Sequence, residues 1–406
     1  MKKSNILLSE IRKRNHQGLP VTNFFYVMRE YWPLGQFMLK KFGWKSWLSF
    51  WYTKLFTSDE GGEYAISDYL LYRFFPRLLR KPAKNEIEHT TTCNKQCMFC
   101  AHTFWNEKKE RMTFSQFKKI IDDIRGLKWI NIAGIGSNFL NKDFVKMIEY
   151  ARHKHINVNF VDEFDFFNEE MSKKVIEIGI NSIFVSFDAA NAHTYETIKK
   201  GCDFDRALHN IKTLLRLKKE MKSPFPVLHF RFLITRLNYM EMPAYIDLIH
   251  SLKNRGTRAR VAFTGLITFP GIEKYYMPVD EIPEEILVKT FEKALKYNIN
   301  LYFSHATKRL PPMHKCVRWA EPFILVNGDV ISDCAILMQS RRDELKAKSF
   351  GNVFEMPFLS IWNSKKYKNF RKTVVTQNAG VPASCYQCCA FDTQTRADLY
   401  GILNSD

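Results

Sequence analysis

Residues 91–102 read Thr-Thr-Cys-Asn-Lys-Gln-Cys-Met-Phe-Cys-Ala-His, with Cys93, Cys97 and Cys100 in the spacing C-x3-C-x2-C. Three thiolates so close together in a short loop can converge on one face of a small metal centre. Iron–sulfur clusters are held by cysteine thiolates, and three ligands on a cubane leave one iron open to a second molecule. The competing chemistry is a structural zinc site. Such sites pair one C-x2-4-C with a second pair, and no partner pair lies nearby.

The totals bound what surrounds this loop. A chain of 406 residues suits two or three domains, and its 46% apolar content is ordinary for globular proteins. The charge is not ordinary: 61 Lys and Arg against 42 Asp and Glu leave +19. Such a surface favours anionic partners, whether nucleic acid, anionic lipid or acidic peptide, without choosing among them. Of nine cysteines, all but Cys202 gather near residues 93–100 and 316–389. The start, MKKSNILLSEIRKRN, has no sustained apolar stretch and no small-residue cleavage site. The cysteines therefore read as metal ligands in a reducing cytoplasm rather than as disulfides. No run approaches the ~18 consecutive apolar residues of a membrane span.

Residues 1–83 form a basic, aromatic-rich helical extension, carrying 14 Lys and Arg against 6 Asp and Glu. Trp44, Trp47 and Trp51 recur at i, i+3 and i+7, which predicts one helix face. Lys40, Lys41, Lys45 and Lys54 are interleaved. Two readings stand: the aromatics pack onto the next domain while the lysines face water, or the segment lies on a membrane surface or another anionic partner. Residues 57–64 read as a loop and 65–80 as a second basic helix, with Pro82 near the boundary.

From residue 84 to 300 strands alternate with helices. Strands are expected at 85–90, 129–134, 156–162, 182–188, 228–235 and 258–264. Helices are expected at 113–125, 141–154, 168–178, 204–222, 239–254 and 281–298. Six βα units in series imply an α/β fold with a parallel sheet, whose strand C-termini share the side where ligands bind. The cysteine loop follows the first strand.

With that loop in that place, the chain resembles the radical SAM superfamily. The resemblance implies a (βα)6 partial TIM barrel with a 4Fe–4S cluster held by Cys93, Cys97 and Cys100 at its mouth. The open iron would chelate S-adenosylmethionine, with Phe99 near the adenine. After the second strand, Ala133-Gly134-Ile135-Gly136-Ser137-Asn138 resembles the family's glycine-rich approach to the methionine end of the cofactor, although Ser137-Asn138 stands where the family usually has Glu-Pro. Ser186 fits the family's serine near the ribose and carboxylate. Lys199 takes a place where relatives often have Arg, and Arg231 on the fifth strand is a further candidate.

Residues 301–406 resemble the SPASM/Twitch extension of these enzymes. Cys316 and Cys334 flank a hairpin expected over Phe323–Val330 with Asn327-Gly328 at its turn, and Cys385-Tyr386-Gln387-Cys388-Cys389 closes the pattern. On chemistry alone four thiolates suit zinc or an iron–sulfur cluster. The resemblance implies one auxiliary 4Fe–4S cluster on Cys316, Cys334, Cys385 and Cys388, with Cys389 able to replace Cys388. Cys202 reads as a buried thiol.

The resemblance also implies the chemistry. S-adenosylmethionine is cleaved reductively to a 5′-deoxyadenosyl radical, which abstracts hydrogen from a substrate, and the auxiliary cluster accepts the substrate electron. An external donor such as flavodoxin or ferredoxin supplies electrons. Two substrates are open, a peptide to be matured and a small polar metabolite such as a sugar alcohol. A third reading is a non-catalytic membrane or nucleic-acid adaptor that retains its clusters. The expected location is the cytoplasm, with peripheral membrane association left open.

Overall fold

A computed structural model of the chain describes residues 3–14, 24–56, 82–105, 108–253, 259–266, 269, 271–278, 281–303, 321–331 and 346–376. The loop and helix expected over 57–80, and Cys316, Cys334, Cys385, Cys388 and Cys389, lie outside those residues. The chain divides into two compact units. The first comprises Met1–Gln17, Asn94–Thr103 and Val158–Ala306; the second comprises Gly18–Cys93, Phe104–Asn157 and Thr307–Asp406.

In the second unit β1 (Lys84–Ile87) runs parallel to β2 (Trp129–Ile132) on one side and to β8 (Phe323–Ile324) on the other. β8 returns antiparallel to β9 (Val330–Ile331). Gly328 in that turn has φ +90, a conformation that costs glycine little. The expected hairpin is thus present, and its pairing with β1 is something the local sequence did not announce. α3 (Phe114–Asp123) starts on a capping box made by Thr113 and Gln116, which satisfies two otherwise orphaned helix N–H groups. α4 (Phe144–His153) follows β2, and α10 (Phe358–Trp362) and α11 (Lys365–Thr376) follow the hairpin.

The same unit carries α2 (Phe24–Phe56), which breaks at Gly43, where φ is 78 and ψ 174. Its halves meet through Tyr31 and Phe50, ring centroids 6.4 Å apart, and through Trp32 and Trp51 at 6.1 Å. A Cβ on Gly35 would sit 2.8 Å from the Trp51 ring, so that indole needs a glycine beneath it. Ser46, Ser49, Phe50 and Thr53 are buried, at i, i+3, i+4 and i+7. Ser46 Oγ meets His155 Nδ1 at 2.9 Å and Asn157 donates to Thr53 Oγ1 at 3.2 Å. The tryptophans do not share one face as the spacing predicted: Trp51 is buried and Trp44 is 61% exposed. Small polar residues take the inward stripe, because they let the helix backbone sit close.

In the first unit five parallel strands pair in chain order: β3 (Asn157–Asp162), β4 (Ser182–Ser186), β5 (Val227–Ile234), β6 (Arg260–Gly265) and β7 (Asn300–Phe303). The helices between them are α5 (Glu169–Ile178), α6 (Ala192–Ile198), α7 (Phe204–Glu220), α8 (Met242–Leu252) and α9 (Glu284–Lys296). Asn168 and Asp203 cap α5 and α7 through their side chains. α1 (Lys3–Arg14) lies on α9, where the Arg14 guanidinium donates to the carbonyls of Ala294, Leu295 and Ile299 at the helix end. Along β5 the pattern is strictly alternating. Leu228, Phe230, Phe232 and Ile234 are buried, and Phe232 packs edge-on to Tyr245 of α8 at 4.8 Å. His229, Arg231 and Leu233 therefore line the opposite face. All six expected strands and six expected helices are present; the short α6 and β7 are additions.

Candidate cofactor site

The cysteine loop is held by backbone pairing within the first unit. Gln96 N donates to Lys200 O and Met98 N to Ile198 O, both at 2.9 Å, which sets Cys97 beside the segment after α6. Cys100 N turns back onto Cys97 O at 3.2 Å. Between the cysteines Lys95 is pinned: its ammonium pairs with Asp165 and donates to Gly201 O at 2.7 Å. Arg206 Nε reaches the same Asp165 carboxylate at 2.7 Å. Neither Lys95 nor Asp165 was singled out in the sequence, because a contact spanning 70 residues leaves no local trace.

Cys93, Cys97 and Cys100 are all half-buried, and Cys202 is a buried thiol as expected. Cys202 donates to Cys97, and with Lys199 nearby this outweighs burial and lowers the Cys97 thiol to about 7. The Cys202 thiol is pushed up in turn by that same hydrogen bond and by burial. Among the described residues no three His, Cys, Asp or Glu side chains are gathered at metal-ligand range. The donor chemistry nonetheless fits an iron–sulfur cluster, since an acidified, partly accessible thiol is the form that binds metal. Phe99 is buried, edge-on to Tyr275 at 5.1 Å.

At the end of β4 the sequence candidates do converge. Lys199 donates to Ser186 Oγ at 2.7 Å and pairs with Asp188 Oδ2 at 2.9 Å. Burial works against the Lys199 ammonium, but Asp188, Tyr195, Cys97 and Cys202 together outweigh it and hold the group well above the usual lysine range. Arg231 is the register partner of Ser186 and stacks 4.3 Å from the Phe184 ring. Asp188 also accepts from Leu233 N, while Asn238 donates to the Asp188 carbonyl, both at 2.8 Å. Asp188, not among the candidates that the motifs pointed to, is the residue that ties this cluster together. Its position two residues beyond Ser186, just past the end of β4, was the available signal.

In the second unit the glycine-rich turn after β2 is shaped by the protein itself. A Cβ on Gly134, at φ +146, would meet Glu88 Cγ at 2.6 Å, and one on Gly136 would meet Thr90 O at 2.4 Å. Ser137 is buried and its N–H donates to Thr92 O at 2.9 Å. Asn138, at the departure from Glu-Pro, meets His89 Nε2 at 3.0 Å, and Asn141 Nδ2 meets the other ring nitrogen at 3.1 Å. His89 also stacks on Phe144 at 4.8 Å. The substitution has thus become part of a buried polar network that ties the β1 loop to the β2 loop.

Burial holds the His89 imidazole neutral down to about 4, against a smaller opposing effect of the Asn138 hydrogen bond. An unfolded histidine takes its proton near 6.5. Between those values the unfolded chain binds more protons, so stability falls as pH falls from 6.5 to 4, by up to about 3 kcal/mol. Urea unfolding of wild type and His89→Gln across that window should show a slope in the first that is missing from the second. Parallel curves would place no titrating imidazole there.

Comparisons with known proteins agree with this layout. The radical SAM superfamily model matches residues 87–249, and the SPASM iron–sulfur cluster-binding domain matches residues 316–389. The tungsten-containing aldehyde ferredoxin oxidoreductase cofactor-modifying protein of Pyrococcus furiosus is 25% identical over 340 residues, 78% of this chain and 91% of that protein. The mycofactocin maturase MftC of Mycolicibacterium smegmatis is 26% identical over 142 residues, 34% of this chain and 36% of the relative. Streptococcus suis SuiB, in a crystal structure with precursor peptide SuiA, superposes with a TM-score of 0.58 at 14% identity, covering 87% of this chain and 82% of that one. At that identity the likeness is one of fold.

Proposed function

This chain is a radical SAM enzyme with a C-terminal SPASM domain, and we propose that it modifies a peptide by hydrogen abstraction. When bound, the loop cluster and S-adenosylmethionine supply a 5′-deoxyadenosyl radical. The chain's own part is to hold that cofactor. The observation that carries the assignment is the cluster of half-buried Ser186 with buried Lys199 and Asp188 beside the cysteine loop. Because Lys199 donates to Ser186 Oγ, the serine proton is left to donate outward, towards a ribose hydroxyl or a carboxylate. Asp188 pairs with Lys199 at 2.9 Å and helps to keep it charged, so the serine stays oriented.

A peptide substrate is supported by the maturase among the relatives and by the fold shared with SuiB. Cys316, Cys334, Cys385 and Cys388 would hold the SPASM cluster, which would supply an electron acceptor, and a flavodoxin or ferredoxin would be the external donor. A second reading is a small-molecule substrate, favoured by the cofactor-modifying relative, whose length the match nearly spans.

The test is stimulation of 5′-deoxyadenosine formation by size-fractionated extract of the producing cells. Reduced enzyme alone should cleave S-adenosylmethionine slowly. A large fraction that accelerates cleavage and loses this effect on protease treatment supports the peptide. A small, protease-resistant fraction would overturn it in favour of the metabolite. Cofactor binding with no deoxyadenosine under any condition would favour the adaptor.

A further inference from the structure

The halves of α2 pack against each other on either side of Gly43, so residues 40–45, Lys-Lys-Phe-Gly-Trp-Lys, form the tip of a helical hairpin. Beyond the tip Trp44, Leu48 and Tyr52 are 61%, 49% and 40% exposed. Their i, i+4, i+8 spacing makes one stripe, turned away from the buried serines. Five of the twelve exposed large apolar side chains among the described residues belong to this one helix, a concentration that scattered surface residues do not produce.

The charge at the tip is of one sign. Lys40, Lys41 and Lys45 are exposed. Lys41 lies 5.6 and 5.5 Å from the Phe37 and Phe42 ring centroids, and Lys45 lies 5.7 Å from that of Trp44. No Asp or Glu occurs from Tyr31 to Phe56. Lys54 is excluded, being turned in over Tyr31 and Trp129 at 4.5 and 5.7 Å.

We propose that this hairpin tip docks on a bilayer surface with anionic headgroups. No described helix is long and apolar enough to cross a membrane, so the contact is interfacial. Tryptophan and tyrosine settle at headgroup depth. The lysine stems run along their rings while the ammonium groups reach the lipid phosphates. An aliphatic Leu48 in the stripe and the absence of arginine at the tip favour lipid over nucleic acid, where arginine forks dominate.

The experiment is flotation of the full, reconstituted chain with phosphatidylcholine vesicles, with and without phosphatidylglycerol, at low and high salt. Binding is expected only with phosphatidylglycerol and should weaken at high salt. The triple variant Lys40→Gln, Lys41→Gln, Lys45→Gln should lower partitioning roughly a hundredfold, from about fivefold per lysine. Its melting should be unchanged, because these side chains are exposed. Brominated lipid should quench the tryptophan emission, less so in Trp44→Phe. Absence of flotation, equal flotation with neutral vesicles, or an undiminished triple variant would overturn the proposal. So would binding to a single-stranded RNA without binding to vesicles.

Discussion

Replacing Cys93, Cys97 and Cys100 together by Ala is expected to halve the iron of the anaerobically reconstituted chain, from about eight to about four atoms. Deoxyadenosine formation should disappear completely. The motive is the proposal that these three thiols hold the loop cluster while the SPASM cysteines hold the remaining iron. Cys202→Ala is the discriminating control. Cys202 only donates to Cys97 and lies outside the three-cysteine spacing, so its loss should leave the iron count unchanged. Iron falling equally in Cys202→Ala would make it a ligand and revise the site. Elemental analysis belongs beside the iron assay. Zinc in protein purified without oxygen would mean that the C-terminal cysteines hold a structural metal, and the electron-acceptor role would fail.

Asp165→Ala is expected to destabilise the fold by about 3–5 kcal/mol, because it takes the counter-charge from the buried Lys95 ammonium and leaves the Gly201 carbonyl bond in place. The side chains of Lys95 and Asp165 are 4% and 2% exposed, so water cannot replace what is lost. Arg206 is half exposed and also pairs with Asp165. Arg206→Gln should therefore cost at most about 1 kcal/mol. Replacing both buried partners, as Lys95→Met with Asp165→Leu, should recover much of the loss, since an apolar pair removes two desolvated charges. Urea denaturation of the single and double variants measures this coupling. Lys95 lies between Cys93 and Cys97, so Asp165→Ala should also slow iron uptake by the loop. A cost below about 1 kcal/mol would mean that the pair is solvated.

What the sequence determined by itself was the alternation of strands and helices and the chemistry of the cysteines. Both are local. Apolar residues repeat with a helix or strand period within each element, and caps such as Thr113 with Gln116 and Asn168 mark where helices begin. The C-x3-C-x2-C loop and the closing C-x2-C point to metal ligation through their spacing. Ser186, Lys199 and Arg231 were also legible, through the order of motifs along the chain.

Only the tertiary structure decided how these residues are set. The direction of Arg231 depended on which face of β5 the helices cover, and Phe232 against Tyr245 answers that. The glycines at 134 and 136 read as room for a cofactor, and the structure adds that a side chain there would strike Glu88 and Thr90. Asn138 read as a departure from the family and turned out to bind His89. In the N-terminal extension the spacing of Trp44, Trp47 and Trp51 suggested one face, and packing chose Ser46, Ser49, Phe50 and Thr53 instead. The physical reason is common to these cases. Periodicity reports which residues can share a face, but burial is decided by the shape and polarity of whatever that face meets, and the partners of Asp165, Gly134 and Ser46 are dozens of residues away in the chain.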